Sequence, residues 1–224
     1  MSQPNPNRLV VEDTDILGVV IGLMKHHVKW GMTDAEWPVY VSKKLGKDSV
    51  FGELPVEFKG SGVRRLGIVV DADNDLDGTW AQVAAFCKNL GAPVPKKCPK
   101  SGLIVPIGEQ VFGAWIMPNN ELSGMVEHFC HELVPDDGEV LWKFAEECAK
   151  ESRTKGAKFP NIYMPKAHIH TWLAWQETPG ERMGAAITGR TLGHESDSAK
   201  MFVKWFCDLY GLELKGTQDA SKHK

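Results

Sequence analysis

The stretch Leu66 to Trp80, LGIVVDADNDLDGTW, carries an aspartate at every second position: Asp71, Asp73, Asp75 and Asp77. Carboxylates crowded in this way repel one another unless a cation shares them. Three chemistries fit the letters. The DAD pair could hold a divalent metal for phosphodiester work, the DLDGT string could supply an aspartyl nucleophile for phosphate transfer, and DNDLDG could begin a calcium loop.

Register against the preceding strand separates these readings. Leu66 to Val70 is a continuous apolar run, the pattern of a strand covered on both faces, so Asp71 and Asp73 fall at its end. Phosphatases of the haloacid dehalogenase type place the nucleophile directly at the strand end, at the start of DxDGT. Here residues 71–74 intervene between Val70 and Asp75, and no matching downstream acidic motif follows. The calcium reading aligns Asp73, Asp75, Asp77 and Gly78 with the first half of a loop, then meets Ala84 where a bidentate glutamate is required. Asp75 and Asp77 therefore read as caps of the next helix, with an outer-sphere metal role for Asp75 as the alternative.

The elements that must position these residues follow from periodicity. Arg8 to Glu12 (RLVVE) reads as a strand, and Ile16, Val19, Val20, Leu23 and His27 recur at helical spacing, with Asp13, Thr14 and Asp15 as N-cap candidates. Residues 29–65 are irregular, with a short strand expected at Val56 to Phe58. A helix over Trp80 to Leu90 ends at Gly91, residues 91–102 form a loop, and Val111 to Met117 (VFGAWIM) is a second buried strand before a helix over Gly124 to Leu133. Leu141, Phe144, Ala145 and Cys148 suggest one apolar helix face, and Met201, Phe202, Trp205, Phe206 and Leu209 a wider one. Alternating strands and helices imply an α/β fold with a largely parallel sheet sandwiched by helices. Ligands in such folds gather at the carboxyl ends of the strands.

At those ends the chain places acid. Glu12 ends the first strand, Asp71 ends the Leu66 strand, and the VFGAWIM strand leads through PNNELS to Glu127. If the strands are parallel neighbours, these groups share one sheet edge, and an all-oxygen site of this kind suits Mg2+ or Mn2+. The words VVEDTD, GIVVDADND and AWIMPNNELSGMVE, over roughly residues 8–175, resemble the Toprim domain shared by topoisomerases, bacterial primases and nucleases of the overcoming-lysogenization-defect type. The likeness is greatest to the small stand-alone branch of that superfamily.

The resemblance implies a Toprim-like, Rossmann-like domain at 8–175, with a helical extension at 176–214 packed on it and flexible termini at 1–7 and 215–224. It makes Glu12 a metal ligand or general acid/base, and Asp71 and Asp73 the metal-binding DxD. Asp15 and Glu127 become further ligands, and Lys166 the lysine that approaches a scissile phosphate. Two departures stand out: Asp13 replaces the glycine usual after the family glutamate, and Ile16 occupies a position where acid is common. One metal site would then have to be rebuilt around Asp15.

Other features read as ordinary structure. HFCHE (His128 to Glu132) lacks the second ligand pair of a zinc site. His168 and His170 fit phosphate contact or a polar place in the core, Trp172 and Trp175 read as core, and Arg153, Lys155 and Lys158 with Lys166 could track a phosphate backbone but fit a solvated loop better. The five cysteines contain no CxxC pair and read as reduced thiols.

A net charge of −3 excludes a global basic field, so a nucleic-acid partner needs local patches or metal. Neither a signal peptide nor a membrane span is visible, giving an expectation of a soluble, cytoplasmic protein without membrane contact. The activity expected is a Mg2+-dependent nuclease on DNA or RNA. Alternatives are a non-catalytic module that binds metal, nucleotide or a partner, and a metal-dependent phosphatase or phosphotransferase. With no GxxxxGK[ST] loop in the sequence, an ATPase partner of the kind Toprim-like nucleases use would be a separate chain.

Overall fold

The computed structural model describes residues 5–216. Among them runs a five-stranded sheet in the order β2-β1-β3-β5-β4. Strand β1 (Asn7–Val11) lies between β2 (Tyr40–Lys43) and β3 (Arg65–Asp71), parallel to both. Strand β3 in turn pairs in parallel with β5 (Gln110–Met117), and β4 (Leu103–Ile107) closes that side antiparallel to β5. The three strands read as acid-bearing are therefore parallel neighbours, which is the condition the sequence left open.

Both faces of the sheet are covered, as its unbroken apolar strands require. Leu9, Val11, Val69 and Trp115 face α1 (Thr14–His27), α4 (Val126–His131), α5 (Glu139–Thr154), α6 (Met164–Leu173), α7 (Met183–Gly189) and α8 (Asp197–Tyr210). Val10, Ile68, Val70 and Ile116 face α2 (Lys47–Phe58) and α3 (Leu76–Asn89). The result is an α/β sandwich with a mostly parallel sheet, and residues 176–214 pack on it through α7 and α8. Gly67 and Gly113 are cross-strand partners, and a Cβ at either would run into Leu209 of α8. Helix α7 meets α1 as closely: a Cβ on Gly22 would stand 2.6 Å from the Gly184 carbonyl oxygen. No helix among the described residues is long and apolar enough to cross a membrane.

Several expectations are corrected. Val56 to Phe58 is the end of α2, because Val50, Leu54 and Phe58 repeat every fourth residue on one buried face while Val56 is 75% exposed. Strands β2 and β4 have no counterpart in the sequence reading; each is short, and β4 carries Pro106, which an edge strand tolerates. Helix α3 starts at Leu76, ahead of Trp80, and α4 is confined to Val126–His131. On α5 the buried residues are Trp142, Ala145 and Ala149; Phe144 is 53% exposed and stacks on Trp175, which is exposed too and no part of the core.

The termini expected to be flexible fall at the two ends of the described range. Residues 1–4 and 217–224 lie outside the described residues, but Asn7 begins β1 and the Lys215 N–H donates to the His27 carbonyl at 2.7 Å.

The close α1–α7 approach is testable. Gly22→Val forces two backbones apart, and overpacking of this kind costs about 1–3 kcal/mol, or roughly 2–10 °C in Tm for a chain of this size. Thermal unfolding followed by circular dichroism measures it; an unchanged Tm would contradict the packing.

Candidate metal centre at the carboxyl edge of the sheet

Asp71 is the last residue of β3 and has only 6% of its surface exposed. Its Oδ1 accepts from the Val126 N–H at the start of α4 (2.9 Å), while its own N–H donates to Glu12 Oε2 (3.0 Å). Thus the side chain that follows β1 is tied to the backbone that ends β3, and β3 is tied to the segment beyond β5. Backbone bonds repeat the pattern: Glu12 N–H donates to Val69, and Ala72 N–H to Met117. The β5 strand ends in a cis Met117–Pro118 peptide. Buried Asn120 then folds the next turn back, its Oδ1 accepting from Ile116 N–H at 2.7 Å.

The residue after Glu12 needs no glycine here. Asp13 has an extended φ of −149° and caps α1, its Oδ1 accepting from the Asp15 and Ile16 N–H groups, both at 2.9 Å. Ile16, in place of an acid, is fully buried in the core.

Glu127, in the first turn of α4, is 1% exposed. Its Oε1 meets Lys166 Nζ of α6 at 2.5 Å, and the same ammonium reaches Asp15 Oδ2 at 3.3 Å. Glu127 Oε2 is buried with no hydrogen-bond partner. Asp73 stands on the other side. It adopts a left-handed φ of 53°, its N–H donates to Gly124, and its carboxylate pairs with Lys47 Nζ at 2.7 Å. Lys47 opens α2 and also donates to Thr79 Oγ1 at 3.2 Å. A cleft of about 540 Å³, lined by Lys47, Asp73, Asp75 and Thr79 among others, opens there. Asp75 caps α3 through the Gly78 N–H (2.8 Å), and Asp77 lies in that helix's first turn, as register required.

Electrostatics bind the set together. Burial pushes the Asp71 carboxyl well above the ordinary carboxylate range, and the charges of Glu12, Glu127, Asp13 and Asp73 push it further. Burial also raises Glu12, against the opposing effects of the Asp71 N–H and Lys47, with Asp73 and Asp13 adding to the rise. The Cys130 thiol, fully buried among Glu127, Asp15 and Asp71, is raised by burial first and by those three charges second. Burial works against the Lys166 charge, but the hydrogen bond and charge of Glu127, aided by Asp15, hold its pKa above the usual lysine range.

Five carboxylates named from the sequence, Glu12, Asp15, Asp71, Asp73 and Glu127, thus gather at one sheet edge with Lys166 among them. They form two groups: Asp15 and Glu127 on Lys166, and Asp73 on Lys47, with Glu12 and Asp71 between. Lys47 was missed because the helix it opens lay in the unplaced segment 29–65. The signal for it was Gly46 followed by Lys47 and Asp48, a helix start. The donors are hard carboxylate oxygens, the class that Mg2+ and Mn2+ prefer, and one of them, Glu127 Oε2, is unpartnered.

The HFCHE segment is not a zinc site: His128 Nδ1 accepts from the Met125 N–H, and His131 stacks on Trp142. His168 is partly buried, edge-on to Trp142 and 3.8 Å from Glu146.

A family model described as "Protein of unknown function (DUF3226)" matches residues 6–211. The chain belongs to this family. The DUF3226 match runs from the start of β1 to the end of α8, so it takes in every carboxylate of the acid edge and both lysines. Neither the curated proteins nor the solved structures returned a match.

Because Asp71 is raised, its ionisation opposes folding: the stability it offers when protonated is full at acid pH and is lost as pH rises through its folded-state value. Asp71→Asn keeps an oxygen for Val126 and removes the charge. In chelator, Tm of the variant and the parent should therefore agree at acid pH and diverge toward pH 8, with Asp71→Asn higher by about 3 °C or more. A variant less stable at every pH would contradict this electrostatic picture.

Proposed function

We propose that this chain is a Mg2+-dependent, Toprim-like phosphodiester-processing protein, a nuclease acting on DNA or RNA. The observation that carries the reading is the convergence of Glu12, Asp71 and Glu127 from three parallel neighbouring strands onto one buried edge. A loop rich in aspartate would give similar letters, but not a buried carboxylate coupled to two others from segments far apart in sequence.

In this reading Glu12, Asp71 and Asp73 hold the ion, and Asp15 and Glu127 complete its surroundings. The ion, when bound, would orient the phosphodiester, lower the pKa of a coordinated water and offset charge on the leaving oxygen. Glu12, its carboxyl raised above the ordinary glutamate range by burial, is suited to hold or release a proton at its free carboxylate oxygen. Lys166 keeps its proton and brings positive charge to the edge, where it can face the transferring phosphate. Lys47 flanks the cleft and adds a second cation for the nucleic-acid backbone.

One observation favours a second reading. Lys166 and Lys47 already neutralise Glu127, Asp15 and Asp73 through ion pairs, as in a non-catalytic module that senses metal or nucleotide. Plasmid, single-stranded DNA and RNA incubated with Mg2+ or Mn2+ decide between the two. The nuclease predicts cleavage abolished by chelator and reduced by at least about 10²–10³-fold in Glu12→Gln, Asp71→Asn and Lys166→Ala. Metal binding by calorimetry without cleavage would favour the sensor. A protein that neither cuts nor binds metal would end both readings.

A further inference from the structure

A second cluster of metal-binding groups lies at the opposite end of α1. His27 closes that helix, and His194 and Glu195 stand in the turn between α7 and α8; one donor atom from each lies within 4.8 Å of the others. At about 1.5 Å rise per residue, the 12 steps from Asp15 to His27 set this cluster roughly 18 Å from the acid edge. Nothing in the carboxylate pattern of the sequence points to it.

The internal distances approach those of ligands around one ion. His194 Nδ1 is 3.1 Å from Glu195 Oε1, and His27 Nε2 is 2.9 Å from the His194 carbonyl oxygen. Donors bonded to a single ion at about 2.0–2.1 Å stand roughly 2.9–3.4 Å apart. His27 Nε2 to Glu195 Oε1, at 3.9 Å, must shorten, and the Glu195 side chain that would move is 62% exposed. Lys200 engages the other carboxylate oxygen, Oε2, at 3.7 Å, which leaves Oε1 for an ion. His194 Nδ1 is buried without a hydrogen-bond partner. The His194 ring is held flat against His26, with centroids 4.1 Å apart, and His26 is fixed in turn by Ile187 O at 2.9 Å from its Nε2. Orientation of a ligand imidazole by its neighbours is what a metal site requires.

We propose that His27, His194 and Glu195 form a zinc-class transition-metal site that fastens the end of α1 to the α7–α8 turn. Two imidazoles and one carboxylate suit zinc and exclude magnesium as the preferred ion, and the His194 carbonyl oxygen stands ready as a fourth donor. His27 Nε2 now faces that carbonyl and so carries the ring proton; for an ion to take this nitrogen the proton moves to Nδ1, and the ion replaces the N–H···O contact.

The test uses the tag-free full chain, stripped with chelator, reloaded with ZnCl2 and desalted, with metal counted by mass spectrometry and affinity measured by competition with a chromogenic chelator. One zinc per chain is expected. Affinity should fall by at least about 100-fold in His194→Ala and in Glu195→Gln, whose exposed position leaves the fold intact, and should persist in Glu12→Gln. Absence of zinc from the parent chain overturns the site. So does an affinity in Glu195→Gln and His194→Ala equal to that of the parent chain, or a loss that follows Glu12→Gln instead.

Discussion

A carboxylate is held at the end of an apolar strand, almost out of water, with other acids around it. Asp71 is costly when charged, because burial and the nearby charges of Glu12, Glu127, Asp13 and Asp73 act in the same direction. The edge of the sheet is arranged around that cost. The Asp71 N–H satisfies Glu12, the Val126 N–H satisfies Asp71, and Lys166 and Lys47 draw the remaining acids to either side. In the function proposed above, a cation between them would turn mutual repulsion into shared attraction.

The rest of the fold serves this placement. Parallel pairing of β1, β3 and β5 sends three chain segments out of the sheet on the same side, which an antiparallel arrangement would not do. Glycines 67 and 113 let α8 settle on the sheet, and the close contact of α7 with α1 fixes the helix whose first turn carries Asp13 and Asp15. Lys166 comes from α6, far along the chain, so the helices of the last third are part of the site as well as part of the core.

What could be read from the sequence tracks how much of the signal was local. LGIVVD and VFGAWIM declare themselves because both faces of each strand are apolar, and register against the first assigned Asp71 to the strand end and Asp75 to a helix cap, as found. Glu12 and Glu127 were legible once parallel order was assumed. Val56 to Phe58 misled because three residues cannot show a period, whereas Val50, Leu54 and Phe58 together do. Lys47, β2 and β4 escaped because short elements carry too few residues to betray a pattern. Phe144 and Trp175 were assigned inward on hydrophobicity alone, yet they stack on each other in contact with solvent. The pairing of Lys166 with Glu127 and Asp15 joins residues that only the tertiary fold brings together, although Lys166 itself was singled out through the resemblance to Toprim nucleases.

Diffraction from crystals grown in Mn2+, recorded where manganese scatters anomalously, addresses the acid edge most directly. An anomalous peak is expected, bonded at about 2.1 Å to carboxylate oxygens of both Glu12 and Asp71. Mn2+ in the lattice with no peak at that edge, and Asp71 still engaged only by the Val126 N–H, would contradict it.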